Sequence, residues 1–577
     1  MHKIVDPKQT RLFDPFSGVL TDKTRKRLTA GWQGVFREVI LELMPVEQIS
    51  KHYIPTQGRP TKEMYSMAGL VLIREFMNWT KEEALDAYSF NIGIQYALNL
   101  EPVAQDISMR TLERQIALFA EIELAKTVMD EVTAKLVAML DIRIDKQRLD
   151  STHIFSDMAN FGRTRMMGVA IKRFLTQLKR HDEKSYDALG EAMRTRYAPG
   201  VSGLFADTAK DENSRRILRQ TIAEDMYCLI KLFAARPEHS SRATYKALER
   251  VFYEQCEVQE KRIVVKDKTG GNIMINTSDP DATLDGHKGP GYQVQIAETC
   301  NPDNEVQLIT AAIAQTAVES DTAAFPKVME KLKESELLPN EMLGDTAFCS
   351  DENVQLAQTH GVELIGPTQT SGVTLSQDED KLNIDDFTID ESTEEVTCCP
   401  AGHAPLSSKH SKKSGQTRTV MPQSACSQCE YFGECPVRKV GDSYLLKHTG
   451  KQRRCAARRR EENTEAFRKR YRPRAGIEST NSGLKRRTGL GRLRVRGRPA
   501  VFNAIYLKIA GWNILRAAVC AKMRQIVYAR ARKAVCMLIF VFLRIIIAIR
   551  RVCISWKKYF CLLWRQSAIC SMTTQAA

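Results

Sequence analysis

Gln147-Arg148-Leu149-Asp150-Ser151-Thr152-His153-Ile154 breaks a long helical pattern. The octet carries no apolar stripe of helical period, and we read it as a strand ending in an acid at Asp150. Upstream, residues 24–141 resolve into helices separated by short polar breaks. Thr61, after Pro60, is placed to cap a helix running through Met64, Met67, Leu70 and Val71 to Met77, and Thr80-Lys81-Glu82-Glu83 forms a capping box that starts the next. Two more helices are expected near 108–120 and 124–140. Residues 1–141 are therefore expected to form a helical N-terminal domain.

Downstream of the octet, helical periodicity returns over an insertion at about 157–285, through Arg215–Ala235 and Arg242–Val258. Strand character follows in Tyr292–Ala297 and Val306–Ala311, then a helix at about Asp321–Glu334. Met342-Leu343-Gly344-Asp345 is a second short strand ending in an acid, and Val362–Ile365 adds one more. Strands interleaved with helices imply an α/β sheet, and ligands gather at strand ends in such sheets. On this reading the first part of the sheet domain covers 142–376. An acidic linker (Gln377–Glu395) and a cysteine cluster fill 377–450, a basic helical region covers 451–520, and no role is read for the tail 521–577. No period of 20–50 residues recurs, which excludes a repeat architecture.

Charge is unevenly placed along the 577 residues. The net charge is +16, and the 99 residues after Glu478 hold 20 Lys and Arg with no Asp or Glu, whereas residues 1–478 hold 65 basic and 69 acidic residues. Such asymmetry points to a nucleic acid or an anionic membrane as partner. A membrane is the weaker of the two, because the apolar run 534–549 is broken by Arg544 and falls short of the roughly 20 residues that a span needs. Met1–Pro7 has no apolar run of a secretion signal, so a reducing cytoplasm is expected, with the fifteen cysteines as free thiols or metal ligands.

Tyr471, Arg474, Glu478 and Lys485 stand in the order Y-x2-R-x3-E-x6-K, and Glu478 is the last carboxylate of the chain. Pro473 is suited to start a helix there, in which Arg474 and Glu478 are i,i+4 neighbours and Lys485 falls two turns later on the same face. Taken singly, a strand-end Asp is a turn residue or cap, and an Arg-Glu pair is a surface salt bridge worth a few tenths of a kcal/mol. Taken together, Asp150, Asp345 and Glu478 supply three carboxylates able to hold a pair of divalent metals about 3.5–4 Å apart for in-line phosphoryl displacement. Hard oxygen ligands suit Mg²⁺ or Mn²⁺. Asp141 and Asp145 are alternatives for the first acid, and Asp150 is preferred because small hydroxylated residues follow it. Gly476 and Gly483 inside the helix cost about 1 kcal/mol each relative to Ala, which points to close approach of DNA backbone or to an irregular helix.

Between the second acid and Glu478 lie Cys398, Cys399 and His403, then the C-x2-C pair Cys426 and Cys429, then Cys435. Cys399, Cys426, Cys429 and Cys435 are the favoured ligands of a tetrahedral zinc site, with His403 and Cys398 as substitutes. Four protein ligands leave no open position, so this metal is expected to stabilise an insertion. Lys451 to Arg498 then holds 18 basic and 4 acidic residues, a density that favours a bound polyanion. Arg486 and Arg487 belong to it. In Gly489–Arg498, arginines including Arg492, Arg494 and Arg496 alternate with apolar residues, as an extended segment tracking a phosphate backbone would.

The Tyr471, Arg474, Glu478, Lys485 spacing, together with Leu149-Asp150-Ser151-Thr152-His153 and Gly344-Asp345-Thr346-Ala347-Phe348-Cys349-Ser350-Asp351-Glu352, resembles the bacterial insertion-sequence transposases of the DDE type, over about residues 30–520. In that group a Gly-Tyr pair commonly takes the positions of Ala347-Phe348. The resemblance implies an α/β ribonuclease H-like catalytic core, here with a helical N-terminal domain, a helical insertion and a cysteine-rich zinc insertion. It implies that Asp150, Asp345 and Glu478 ligate two Mg²⁺ or Mn²⁺ ions, that Arg474 and Lys485 contact phosphates near the cleaved end, and that Tyr471 packs or hydrogen-bonds there. The implied partners are DNA, as terminal inverted repeats and target, with base reading expected in the helical domain 1–141, and a second copy of the chain in the synaptic complex. The implied activity is phosphodiester cleavage at the repeats and strand transfer into target DNA. A non-catalytic DNA-binding relative, decayed or domesticated, is the competing reading.

Overall fold

The computed structural model describes residues 2–9, 14–56, 58, 60–159, 161–198, 211–260, 262–369, 381–530, 544, 546, 547, 549 and 550. Most of the apolar run 534–549 lies outside the described residues. The chain divides into two units. One comprises 1–118, 138–140 and 511–577, and the other 119–137 and 141–510.

The first unit is helical. Helix α1 (Met64–Phe76) is buried almost all round, and its Phe76 meets Trp32 edge-on at 5.3 Å. Its cap is Glu63, whose carboxylate accepts from the N–H groups of Tyr65 and Ser66. The expected cap, Thr61, instead accepts from the N–H of Lys3. The capping box of Thr80 and Glu83 opens α2 (Lys81–Phe90) as its pattern requires. Helices α3 (Met109–Glu121) and α4 (Leu124–Leu140), the latter belonging mostly to the second unit, lie within a residue or so of the expected spans.

The second unit is built on a mixed six-stranded sheet. Its strands are β1 (Lys146–Ile154), β4 (Thr283–Asp285), β5 (Gly289–Thr299), β6 (Ile309–Thr316), β7 (Glu341–Leu343) and β8 (Glu363–Ile365), and the order runs β4-β5-β1-β7-β8 with β6 also on β5. Strand β1 is antiparallel to β5 and parallel to β7, which is parallel to β8. This mixed α/β architecture is in keeping with a ribonuclease H-like core.

The expected strand at 147–154 is present, but it does not end at its acid. β1 continues four residues past Asp150 because its pairing with β5 runs from Gln147↔Thr299 to Ile154↔Tyr292. Its pairing with β7 stops at Arg148↔Leu343. Asp150 and Asp345 therefore each lie two residues beyond the last paired position of adjacent parallel strands, in step with one another. Leu149, on the opposite face from Asp150, enters a core with Phe325, Met329, Met342 and Phe348. Helix α8 (Asp321–Glu334) supplies two of these side chains, and α9 (Asp351–Thr359) adds Val354 and Ala357 to the core.

Between β1 and β4 the insertion forms its own core around Phe174, Met226 and Phe252. These come from α5 (Arg163–His181), α6 (Glu212–Phe233) and α7 (Ala243–Gln255). The last of these stops three residues earlier than its periodicity suggested, because Cys256–Gln259 and Arg262–Val265 pair as a hairpin, β2 and β3.

A second correction concerns the acidic linker. Residues 370–380 lie outside the described set, but the described part, 381–395, is folded. Ile384 and Phe387 are buried with Val396, Met421, Tyr444 and Leu446 in a small core. This core is framed by β9 (Thr388–Asp390) with β10 (Glu395–Cys398), and by a four-stranded sheet. That sheet holds β11 (Ser407–Ser411), β12 (Gln416–Met421), β13 (Arg438–Val440) and β14 (Ser443–Thr449) in the order β11-β12-β14-β13. The acidity has a local use: Asp385 and Asp386 pair with Arg460, and Glu394 lies 3.1 Å from Arg453. Both arginines belong to α10 (Gly450–Glu462).

After α10 come α11 (Glu465–Tyr471), a 3-10 turn (Arg472–Ala475), α12 (Gly476–Thr488) and α13 (Arg498–Val519). The start of α13 packs on the sheet through Phe502, edge-on to Tyr292 at 6.0 Å. No single helix among the described residues is long and apolar enough to cross a membrane, and only the pair Arg498–Val519 and Ala521–Arg530, bent by 87°, passes that test together.

Candidate active site

Strand β1, the loop after β7 and the first turn of α12 bring Asp150, Asp345 and Glu478 around one side chain, Arg474. Its Nη2 lies 2.9 Å from Asp150 Oδ1 and 3.6 Å from Asp345 Oδ2, and its Nη1 lies 3.1 Å from Glu478 Oε1. Asn481, one turn beyond Glu478, donates from Nδ2 to the other oxygen of Asp150 at 2.8 Å. Asp345 accepts from the N–H of Ala347 at 3.0 Å, which fixes the turn that carries it. Asp141 and Asp145 take no part. Asp145 receives both its bonds from Asn301, and Asp141 ends α4 with φ of 55°.

The electrostatics are those of a crowded anionic site. Burial pushes the Asp150 carboxyl up to about 6, opposed by Arg474 and assisted by the charges of Glu478 and Asp345. Asp345 is also raised, by burial first, against the pull of Arg474. Glu478 is the outermost of the three, with 63% of its side chain exposed.

Several residues that frame the site carry no sequence motif. Arg148 stands opposite Glu298 in the β1–β5 register and pairs with it at 2.6 Å, where Glu298 is 1% exposed. The same guanidinium donates to the carbonyl of Pro473 at 2.8 Å, and Thr480 donates to the other oxygen of Glu298 at 2.7 Å. This buried relay ties the sheet to the turn that bears Arg474. The one legible signal was an acid, Glu298, in a strand with no other charged residue. A fourth carboxylate, Asp321, sits beside the trio, held by Ser151 at 3.0 Å and Gln295 at 2.7 Å, with Lys288 at 3.6 Å.

Tyr471 closes α11 and stacks on Phe467 at 5.7 Å, both against Leu343 and Ile365 at the ends of β7 and β8. Burial pushes its hydroxyl up to about 12. Lys485 is exposed on α12, with its stem against Gly491. Arg486 and Arg487 are exposed in the last turn. The following segment runs extended beside the end of β1: the N–H of Phe155 donates to Gly491, that of Leu493 to Phe155, and that of Asp157 to Val495. Leu493 is buried while Arg492, Arg494 and Arg496 are exposed, so the alternation in sequence becomes an arginine-studded edge.

In the small β domain, Cys399, Cys426, Cys429 and Cys435 line one pocket with His403, Leu382 and Met421, and Cys398 does not line it. All are free thiols. The N–H of His403 donates to Cys399 Sγ at 3.4 Å, closing a tight turn around that sulfur. Burial and the neighbouring sulfurs push Cys435 up to about 11.

Among the described residues, no three His, Cys, Asp or Glu side chains are gathered closely enough to enclose a metal ion as they stand. At the carboxylates, a guanidinium stands where their oxygens converge. The donor set nevertheless fits a hard divalent cation: all-oxygen, partly buried, and in excess of the one positive charge that faces it. The four sulfurs likewise match the preferences of zinc.

Comparison with curated proteins and with solved structures brings no match. Residues 398–518 match the family described as "Transposase DDE domain", a span that takes in the cysteine cluster, Tyr471, Arg474, Glu478 and Lys485. The match supports a DDE-type transposase.

Proposed function

We propose that this chain is a metal-dependent DNA transposase of an insertion sequence, which cleaves phosphodiester bonds at the element's inverted repeats and joins the freed ends to target DNA. The observation that carries the reading is the convergence of Asp150, Asp345 and Glu478, from segments 195 and 133 residues apart in sequence, beside an exposed run of arginines. Asp150, Asp345 and Glu478 would hold Mg²⁺ or Mn²⁺. When bound, such ions supply an activated water and neutralise charge on the attacking and leaving oxygens. The chain's own part is positioning: Lys485 and the Arg492, Arg494 and Arg496 edge hold the phosphate backbone, Tyr471 packs beneath the cleaved end, and the Arg148–Glu298 relay keeps Glu478 in register with the sheet.

Cleavage of DNA that carries the terminal repeats, with Mg²⁺ and the full chain, tests this. Glu478→Gln and Asp150→Asn should each lower cleavage at least a hundredfold while DNA binding persists. Unchanged cleavage in Glu478→Gln rejects the site, and binding without any cleavage in the parent chain favours the non-catalytic relative.

Cys399, Cys426, Cys429 and Cys435 would hold a structural zinc ion in the same reading, supported by their common pocket and the turn around Cys399. Elemental analysis of purified protein should find about one zinc per chain, lost in Cys426→Ser/Cys429→Ser. A value near zero removes zinc and leaves the carboxylate site standing.

A further inference from the structure

We propose that Arg474 is an internal counter-ion: it holds the three carboxylates together before divalent metal binds, competes with the metal for them, and is freed for phosphate when the metal takes its place. This rests on the reading of Asp150, Asp345 and Glu478 as the metal-holding trio, and adds to it a regulated occupancy.

The geometry is the argument. One guanidinium spans all three acids through two of its nitrogens, Nη2 on Asp150 and Asp345 and Nη1 on Glu478. Its planar fork of donors suits such bridging, which a lysine point charge would not reproduce. One positive charge facing three carboxylates leaves the group net anionic, so it still attracts a divalent ion. The third nitrogen, Nε, is buried and has no hydrogen-bond partner among the described residues. Among the described residues the side chain is thus held by the carboxylates alone, with no further polar anchor to keep it there once a metal neutralises them.

The backbone under Arg474 is anchored by a different group from those that hold its side chain. Arg148 grips the carbonyl of Pro473, and Gly476 leaves room for that grip, since a Cβ there would stand 2.0 Å from Arg148 Nη1. The guanidinium is 17% exposed and borders Glu478, the most exposed of its partners. Rotation of the side chain past Glu478 therefore carries it to the surface, on the side where Lys485 stands exposed on the same helix. A charge that neutralises the acids at rest then neutralises phosphate during the reaction.

Mn²⁺ binding to the full chain without DNA, by titration calorimetry, distinguishes the possibilities. If Arg474 occupies the site nine-tenths of the time, it weakens apparent affinity about tenfold. Arg474→Gln should therefore bind Mn²⁺ about tenfold more tightly than the parent chain, Arg474→Lys should fall between them, and Glu478→Gln should bind more weakly. Thermal melting in EDTA should show Arg474→Gln less stable than the parent, with the difference closed by Mn²⁺, which reads out the counter-ion role without activity. Equal or weaker Mn²⁺ binding by Arg474→Gln, with binding still lost in Glu478→Gln, overturns the counter-ion role and leaves the metal site intact. Absence of Mn²⁺ binding in the parent and every variant overturns the metal site itself, and this proposal with it.

Discussion

Arg148 fills the volume that a side chain at position 476 would need, and this explains why α12 begins with glycine. The glycines of this helix had suggested close approach of DNA or an irregular helix, yet α12 is regular from Gly476 to Thr488, and at Gly476 the close approach is by Arg148. Gly476→Ala gains about 1 kcal/mol of helix propensity but expels the guanidinium from Pro473 and Glu298. Breaking one partner of a buried ion pair costs about 3–5 kcal/mol, so we expect a net loss of roughly 2–4 kcal/mol in denaturant unfolding, together with impaired DNA cleavage. A variant as stable as the parent would mean that Arg148 relocates freely. The glycine itself is visible in the sequence. Its reason is not, because Arg148 lies 328 residues away.

Strands and helices set the next level of control. The register Arg148↔Leu343 between β1 and β7 places Asp150 level with Asp345, and the antiparallel partner β5 draws β1 past its acid. Helix caps and helix spans were largely legible, because capping boxes and apolar stripes are local patterns. The strand ends and the folded part of the acidic stretch were not, since each depends on a partner distant in sequence. The same holds for His448 on β14, which faces Thr417 across the ladder and is almost fully buried. Burial holds its imidazole below the ordinary histidine range, with Arg453 and His410 acting in the same sense and Glu394 against. The folded state therefore prefers the neutral ring. Its contribution to stability is present above about pH 6.5, the unfolded value, and is lost as pH falls through the lower folded value. Amide exchange in Gln416–Met421 and Ser443–Thr449 should accelerate, after correction for intrinsic rates, between pH 7 and 5. His448→Leu should flatten that response, and an unchanged response would place the acid-sensitive group elsewhere.

Over the whole molecule, charge and topology act together. The sheet assembles the acids from three distant segments, and the polycation that follows Glu478 is partly laid out as an extended edge along the end of β1. DNA affinity should fall steeply with salt, and Arg492→Gln/Arg494→Gln/Arg496→Gln should reduce the slope of log K against log[salt] by about one unit for each phosphate contact removed, with little effect on sequence preference. An unchanged slope would mean that this edge does not touch the backbone. The sequence by itself determined which residues are candidates for the proposed chemistry: three acids, a flanking Tyr-Arg-Lys set, four cysteines and a one-sided distribution of charge, because residue type and local spacing are written along the chain. Only the tertiary structure decided which atoms meet. Strand register aligned Asp150 with Asp345, a buried relay through Glu298 set the helix against the sheet, and Arg474 bridged the acids beside it, since pairing between distant segments depends on which faces bury together.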